Sequence, residues 1–138
     1  MKKRRKWGIG VPLLLLFVLC VGASVHLFTD INTGEAYYRK GSTEIRVELT
    51  MEEVQTIRQL LKSREFAQFG SDGVRCGFSE HCRMTIGRET ILFTRDDCDA
   101  IYVKERNIVY RISSQANETI RTLLTTYGFA FPYGYDNA

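Results

Sequence analysis

Residues 7–28 contain no Asp, Glu, Lys or Arg, and they follow directly on Lys2, Lys3, Arg4, Arg5 and Lys6. As an α-helix rising about 1.5 Å per residue, such a run extends about 33 Å, enough to cross a hydrocarbon core of roughly 30 Å. The chain is thereby divided before any fold is considered: whatever packs into a globular core comes after this segment. The cations lie on its N-terminal flank, and the first acid, Asp30, lies beyond its other end. The positive-inside rule therefore predicts a single-pass cell-membrane anchor with the N-terminus cytoplasmic and the remainder extracytoplasmic. The competing expectation is a signal peptide, with Val21, Gly22 and Ala23 as the processing site, which would release a secreted protein. Lipid attachment at Cys20 fits less well, because the bulky Leu19 stands where a small residue is wanted. The expected organisation is a basic stub and anchor or signal peptide over residues 1–29, a linker over 30–34 and one extracytoplasmic domain over 35–138.

The formal net charge of +3 comes from 19 Lys plus Arg against 16 Asp plus Glu. Five of the cations precede residue 7, so the rest of the chain carries 14 against 16 and is mildly acidic. The basicity is a topology signal; nucleic-acid binding, which needs a cationic face on the folded domain, is not expected. About 108 residues remain outside, enough for one domain with its own core.

Residues 35–39 and 43–49 read as strands around Gly41. The second alternates Ile45, Val47 and Leu49 with Glu44, Arg46 and Glu48, the pattern of a half-buried strand. Thr50 and Glu53 have the spacing of a capping box, and Val54, Ile57, Leu60 and Leu61 form one helical stripe. The unit recurs 63 residues later: Ile45, Thr56, Ile57, Arg58, Leu60, Leu61 and Phe66 match Ile108, Thr119, Ile120, Arg121, Leu123, Leu124 and Phe129. Whether by duplication or because any capped amphipathic helix after a strand aligns this way, two similar strand–helix units are expected. The second helix, over about residues 114–127, should stop at Gly128. Between the units, residues 83–86 and 89–94 flank a Gly87-Arg88 turn, and residues 100–104 and 107–112 form a further pair. Residues 68–73, with two glycines, read as the flexible loop. The expected fold is α+β, ββα-βββα, with an antiparallel meander and both amphipathic helices on one face of the sheet.

Cys76, Cys82 and Cys98 fall in the extracytoplasmic part, where disulfides persist. Continued in register, the Gly87-Arg88 hairpin places Cys98 opposite Gly77 and Cys76 opposite Asp99, so one bulge brings Cys76 and Cys98 within bonding range. That pairing is preferred; Cys76 with Cys82, and unpaired thiols, remain open. Zinc could use the same thiols with His81, but gaps of five and fifteen residues lack the close-pair spacing of structural sites, and no CxxC redox motif exists. His81 beside Ser79 and Glu80 does not make a triad, whose members come from separate elements. Asp96, Asp97 and Asp99 lack the spacing of a calcium loop and read as a solvated turn. Asn117-Glu118-Thr119 fits a glycosylation sequon but lies on a predicted helix. Tyr127, Phe129, Phe131, Tyr133 and Tyr135 either fold back to close the core or form a partner surface. No catalytic residue, metal or cofactor is assigned.

Cys76-Gly77-Phe78-Ser79-Glu80, Asp97-Cys98-Asp99, Leu124, Tyr127-Gly128-Phe129 and Phe131-Pro132 together resemble a family of small exported or membrane-attached proteins of Gram-positive bacteria that has no assigned activity. The resemblance covers roughly residues 43–133. It implies a cell-envelope location and a structural role for Cys76 and Cys98, and it transfers no catalytic residue. Related patterns often continue with a cysteine after Phe-Pro; Tyr133 stands here, so no scheme with a fourth thiol carries over. The sequence thus points to a membrane-tethered extracytoplasmic binding or accessory module without catalytic activity. Its partner would be a protein or envelope component, as for an inhibitor, immunity or envelope-assembly protein. The alternative is a thiol-redox or zinc-binding protein using Cys76, Cys82 and Cys98.

Overall fold

The structure is a computed structural model that describes residues 17–20 and 32–132. The chain forms two compact units, Met1–Ile31 and Asn32–Ala138. In the first, the described residues 17–20 are helical, and the remainder of the expected anchor lies outside the described residues. No helix among the described residues is long and apolar enough to cross a membrane.

The second unit is α+β. Strands β1 (Gly34–Lys40), β2 (Thr43–Leu49), β3 (Glu65–Phe69), β4 (Phe78–Ile86), β5 (Glu89–Thr94), β6 (Ala100–Val103) and β7 (Ile108–Arg111) form one antiparallel sheet in the order β2-β1-β4-β5-β6-β7-β3. Helix α1 (Met51–Leu61) follows β2, and helix α2 (Ser114–Thr126) follows β7. The β1–β2 hairpin and the β4–β7 meander are joined by β1 pairing with β4, Tyr38 opposite Cys82 and Ala36 opposite Met84.

Both helices bury their stripes on the same sheet face. Val54, Ile57 and Leu61 of α1 and Ala116, Ile120 and Leu124 of α2 meet Ala36, Tyr38, Met84, Ile91, Phe93, Ile101 and Val103 in one core. The local code for each helix start is visible in the atoms. Thr50 Oγ1 accepts from the Glu53 amide at 3.3 Å while Glu53 Oε2 accepts from the Thr50 amide at 2.7 Å, the reciprocal capping box. Ser113 Oγ accepts from the Ala116 amide at 3.1 Å. Gly34 is required where α1 meets β1: a Cβ there would lie 2.6 Å from Val54 Cγ2. Gly128, at φ 93°, ends α2 in a Schellman turn, its amide donating to Thr125 and that of Phe129 to Leu124. That turn sends Phe129 back into the core, 5.0 Å from the Tyr38 ring.

Several sequence expectations need correction. The 68–73 loop begins two residues later, because Gln68 and Phe69 belong to β3, which pairs with β7. A register shift between Phe66 and Gln68 in that pairing removed the alternation that would have marked a strand. Gly34 opens β1 and is not linker. The expected strand through residue 104 stops at Val103, and Lys104–Arg106 is a 3₁₀ turn closed by Asn107 at φ 55°. With β3, and with four strands (β4–β7) in the meander where βββ gave three, the sheet has seven strands in place of the five in ββα-βββα.

Candidate functional site

Cys76, Cys98, Asp96, Asp97 and Asp99 come together at the turn after β5, against Asn117 and Arg121 of α2. The hairpin register holds from Ile86 opposite Glu89 to Arg83 opposite Leu92, then shifts so that Phe78 faces Thr94. Residues 79–82 bulge against Phe93, and the shift carries Cys76 to the turn after β5. There it forms a disulfide with Cys98, Cα to Cα 6.3 Å. The bridge fastens the segment following β3 to the turn between β5 and β6.

The turn is held from both sides. Asp96 Oδ1 accepts from the Cys98 amide at 3.2 Å, an Asx turn. The buried Thr94 hydroxyl donates to the Cys98 carbonyl at 2.9 Å and accepts from Arg121 Nη2 at 3.0 Å. Arg121 is only 8% exposed, and its remaining donors are placed with equal economy. Nε donates to Asn117 Oδ1 at 2.9 Å, Nη1 to Asp97 Oδ1 at 3.1 Å and Nη2 also to the Asp96 carbonyl at 2.6 Å. The Phe131 ring lies under the guanidinium, 5.0 Å from its centroid. Because the Asp97 side chain is 84% exposed, that ion pair is screened by water and contributes little. The neutral acceptors around the buried cation do most of the holding, since losing them would leave unsatisfied donors in the interior.

Asp99 completes the clamp. Hydrogen bonds from Ser114 and then from Asn117, the latter at 2.8 Å, hold its carboxyl below the usual range despite partial desolvation. Its position beside the first turn of α2 also suits a negative charge. An open groove of about 650 Å³ runs along this side, lined by Asp97, Asp99, Asn117, Glu118, Arg121 and Thr125 among others. The three aspartates therefore serve the turn. Asn117, 6% exposed with both ends of its amide engaged, is not presented as a glycosylation acceptor.

The alternative thiol or metal set does not assemble as the sequence grouped it. Cys82 is fully buried in the core, where desolvation pushes its thiol up to about 12 against the opposing charge of Arg121. His81, one residue earlier, is exposed at the bulge. Cys76, Asp96 and Cys98 do bring ligand-type atoms within 4.8 Å of one another, but bridged sulfurs are not thiolates and cannot ligate as such.

Of the five C-terminal aromatics, Phe129 is 1% exposed and closes the core, and Phe131 packs against it and against Phe93. Tyr127 is half-buried, and its hydroxyl donates to Glu53 Oε1 at 2.7 Å, tying the end of α2 to the start of α1. Tyr133 and Tyr135 lie outside the described residues. Among the described residues of the domain the exposed aromatics are instead Phe66 and Phe69 on β3, 56% and 72% exposed, with ring centroids 5.0 Å apart. Sequence reasoning missed this pair because it had placed Phe66 as the counterpart of Phe129 and Phe69 in a loop. It also missed Arg121, although Asn117, Arg121 and Thr125 at four-residue spacing put one polar stripe on α2, facing the aspartate turn. No family model, curated protein or solved structure matches the chain.

Proposed function

We propose that the chain is a membrane-tethered extracytoplasmic binding or accessory module, without catalytic activity, that engages a protein or envelope component. The observation that carries this reading is the clamp around Cys76–Cys98. The residues with most chemical potential, namely the two cysteines, Asp96, Asp97, Asp99, Asn117 and Arg121, spend it on fixing a turn against α2. Such a build favours a rigid presenting surface. A disulfide that joins two loops of a small domain supports an oxidising location, in agreement with the basic, apolar leader. The resemblance to exported Gram-positive proteins supports the same location. The test is cross-linking and recovery of the full chain from solubilised membranes. A partner in stoichiometric yield is expected; reproducible recovery of the chain alone would overturn the reading. N-terminal sequencing of the membrane fraction separates the tether, which retains Met1 or Lys2, from cleavage after Ala23.

A zinc or thiol-redox role remains as a second reading because of one observation, the approach of Cys76, Asp96 and Cys98 ligand atoms to within 4.8 Å. Reduced, these would give two thiolates and a carboxylate, one short of a tetrahedral shell completed by water or protein. Elemental analysis decides it: stoichiometric zinc with no disulfide would favour this reading over the first.

A further inference from the structure

The two edges of the sheet are built differently. The outer strand β2 carries Glu44, Arg46 and Glu48 along one face, all exposed, which is the usual protection of an edge against further pairing. Among the described residues β3, the opposite edge, pairs only with β7, and over Phe66-Ala67-Gln68-Phe69 it has no charge. In an unbroken strand Phe66 and Phe69 would point to opposite faces. The register shift between Phe66 and Gln68 puts them in phase: Phe66 lies opposite Tyr110 and Phe69 opposite Ile108, two residues of the same face of β7. The result is an aromatic pair on an open edge.

We infer that this edge pairs with the β3 edge of a second copy, forming a twofold antiparallel junction in which Phe66 of each copy faces Phe69 of the other. The self-match follows from the bulge. Because Phe66 and Phe69 share a phase, a twofold axis between Ala67 and Gln68 sets each opposite the other, collects four rings on one face and opposes no like charges, with Glu65 falling opposite Gly70. The exposed rings offer about 250 Å² per copy if each phenylalanine spans about 200 Å², so the pair covers about 500 Å². That is well below the roughly 1,200 Å² of a stable interface. The association is therefore weak, reversible and dependent on high local concentration. This inference stands independently of the tether and of any external partner.

Sedimentation equilibrium of the full chain in density-matched detergent, across a concentration series, reads it out. The expected result is a protein mass rising from 15.9 kDa towards twice that value, with Phe66→Ser/Phe69→Ser weakening the association on the order of tenfold or more. Hydrogen exchange of the wild type gives a second reading that needs no variant: amides in β3 should gain protection as concentration rises. A wild-type mass independent of concentration, equal association by the double variant, or β3 exchange unchanged by concentration would each overturn the inference. Equal association would assign the contact to another surface. A monomer throughout would leave the edge to an extended segment of a different protein.

Discussion

The β2–α1 and β7–α2 units share a local code and use it differently. Both place a strand before a capped helix, and both bury the residues at matching stripe positions: Ile57 and Ile120, Leu61 and Leu124. They part at two identities. Arg58 lies on the half-exposed side of α1, whereas Arg121 is buried and binds four acceptors of the disulfide turn and α2. Phe66 stands exposed on an edge strand, whereas Phe129 is turned into the core at Gly128. The lesson is that helical periodicity decides which side packs on the sheet, and the loop that follows or faces the helix decides what a polar or terminal residue does.

Phe129→Ala should cost about 3–5 kcal/mol through the cavity it leaves, and Phe66→Ala less than about 1 kcal/mol, in urea unfolding of the same preparation. Nearly equal effects would erase the distinction. Arg121→Ala should cost about 3 kcal/mol, since it empties a buried, hydrogen-bonded site and leaves Asn117 Oδ1 without the Nε donor, while Arg58→Ala stays within about 1 kcal/mol. Replacing Cys76 and Cys98 together by serine should remove about 3 kcal/mol by freeing a 22-residue separation in the unfolded chain, with the m-value reporting a less compact native loop if the clamp opens. Thr50→Ala should cost about 1–2 kcal/mol and Ser113→Ala about 1 kcal/mol, because only the first cap is reciprocal and braced by Tyr127.

The smallest effect is in pH. Asp99 has its folded carboxyl held below the unfolded value by Ser114 and Asn117, so its contribution is fully present above the ordinary carboxylate range. It is lost as pH falls through the depressed folded value. Glu53 behaves alike: burial works to raise it, and hydrogen bonds from Tyr127 and Thr50 prevail. Stability should therefore fall on the acid side, and Asp99→Asn should flatten part of that limb in melts compared at pH 7 and pH 3; an unchanged acid limb would contradict the assignment.

Much of this fold was legible in the sequence because it is encoded locally. The capping box at Thr50, the stop at Gly128 and the Gly87 turn, with φ 59°, need only a few neighbouring residues. The preference for Cys76 with Cys98 followed from counting a hairpin register and allowing a bulge, and the bulge proved to be the shift between Phe78 and Arg83. β3 was not legible, because a five-residue strand with a register shift has no clean period and its partner lies about forty residues away. Arg121 was hidden for a related reason. An arginine on an amphipathic helix is assigned to solvent unless the facing loop is known, and that loop is set by the disulfide.

Cys76, Cys98, Asp96, Asp97 and Asp99 spend their chemistry on holding the turn after β5 against α2. Thiol counting by mass spectrometry, with zinc analysis, on full-length protein taken from membranes tests it most directly. Cys76 should be found bridged to Cys98, Cys82 alkylated only after denaturation because its thiol is buried and raised to about 12, and zinc below stoichiometric amount. Reduced Cys76 and Cys98 with one bound zinc, or native alkylation of Cys82, would contradict it.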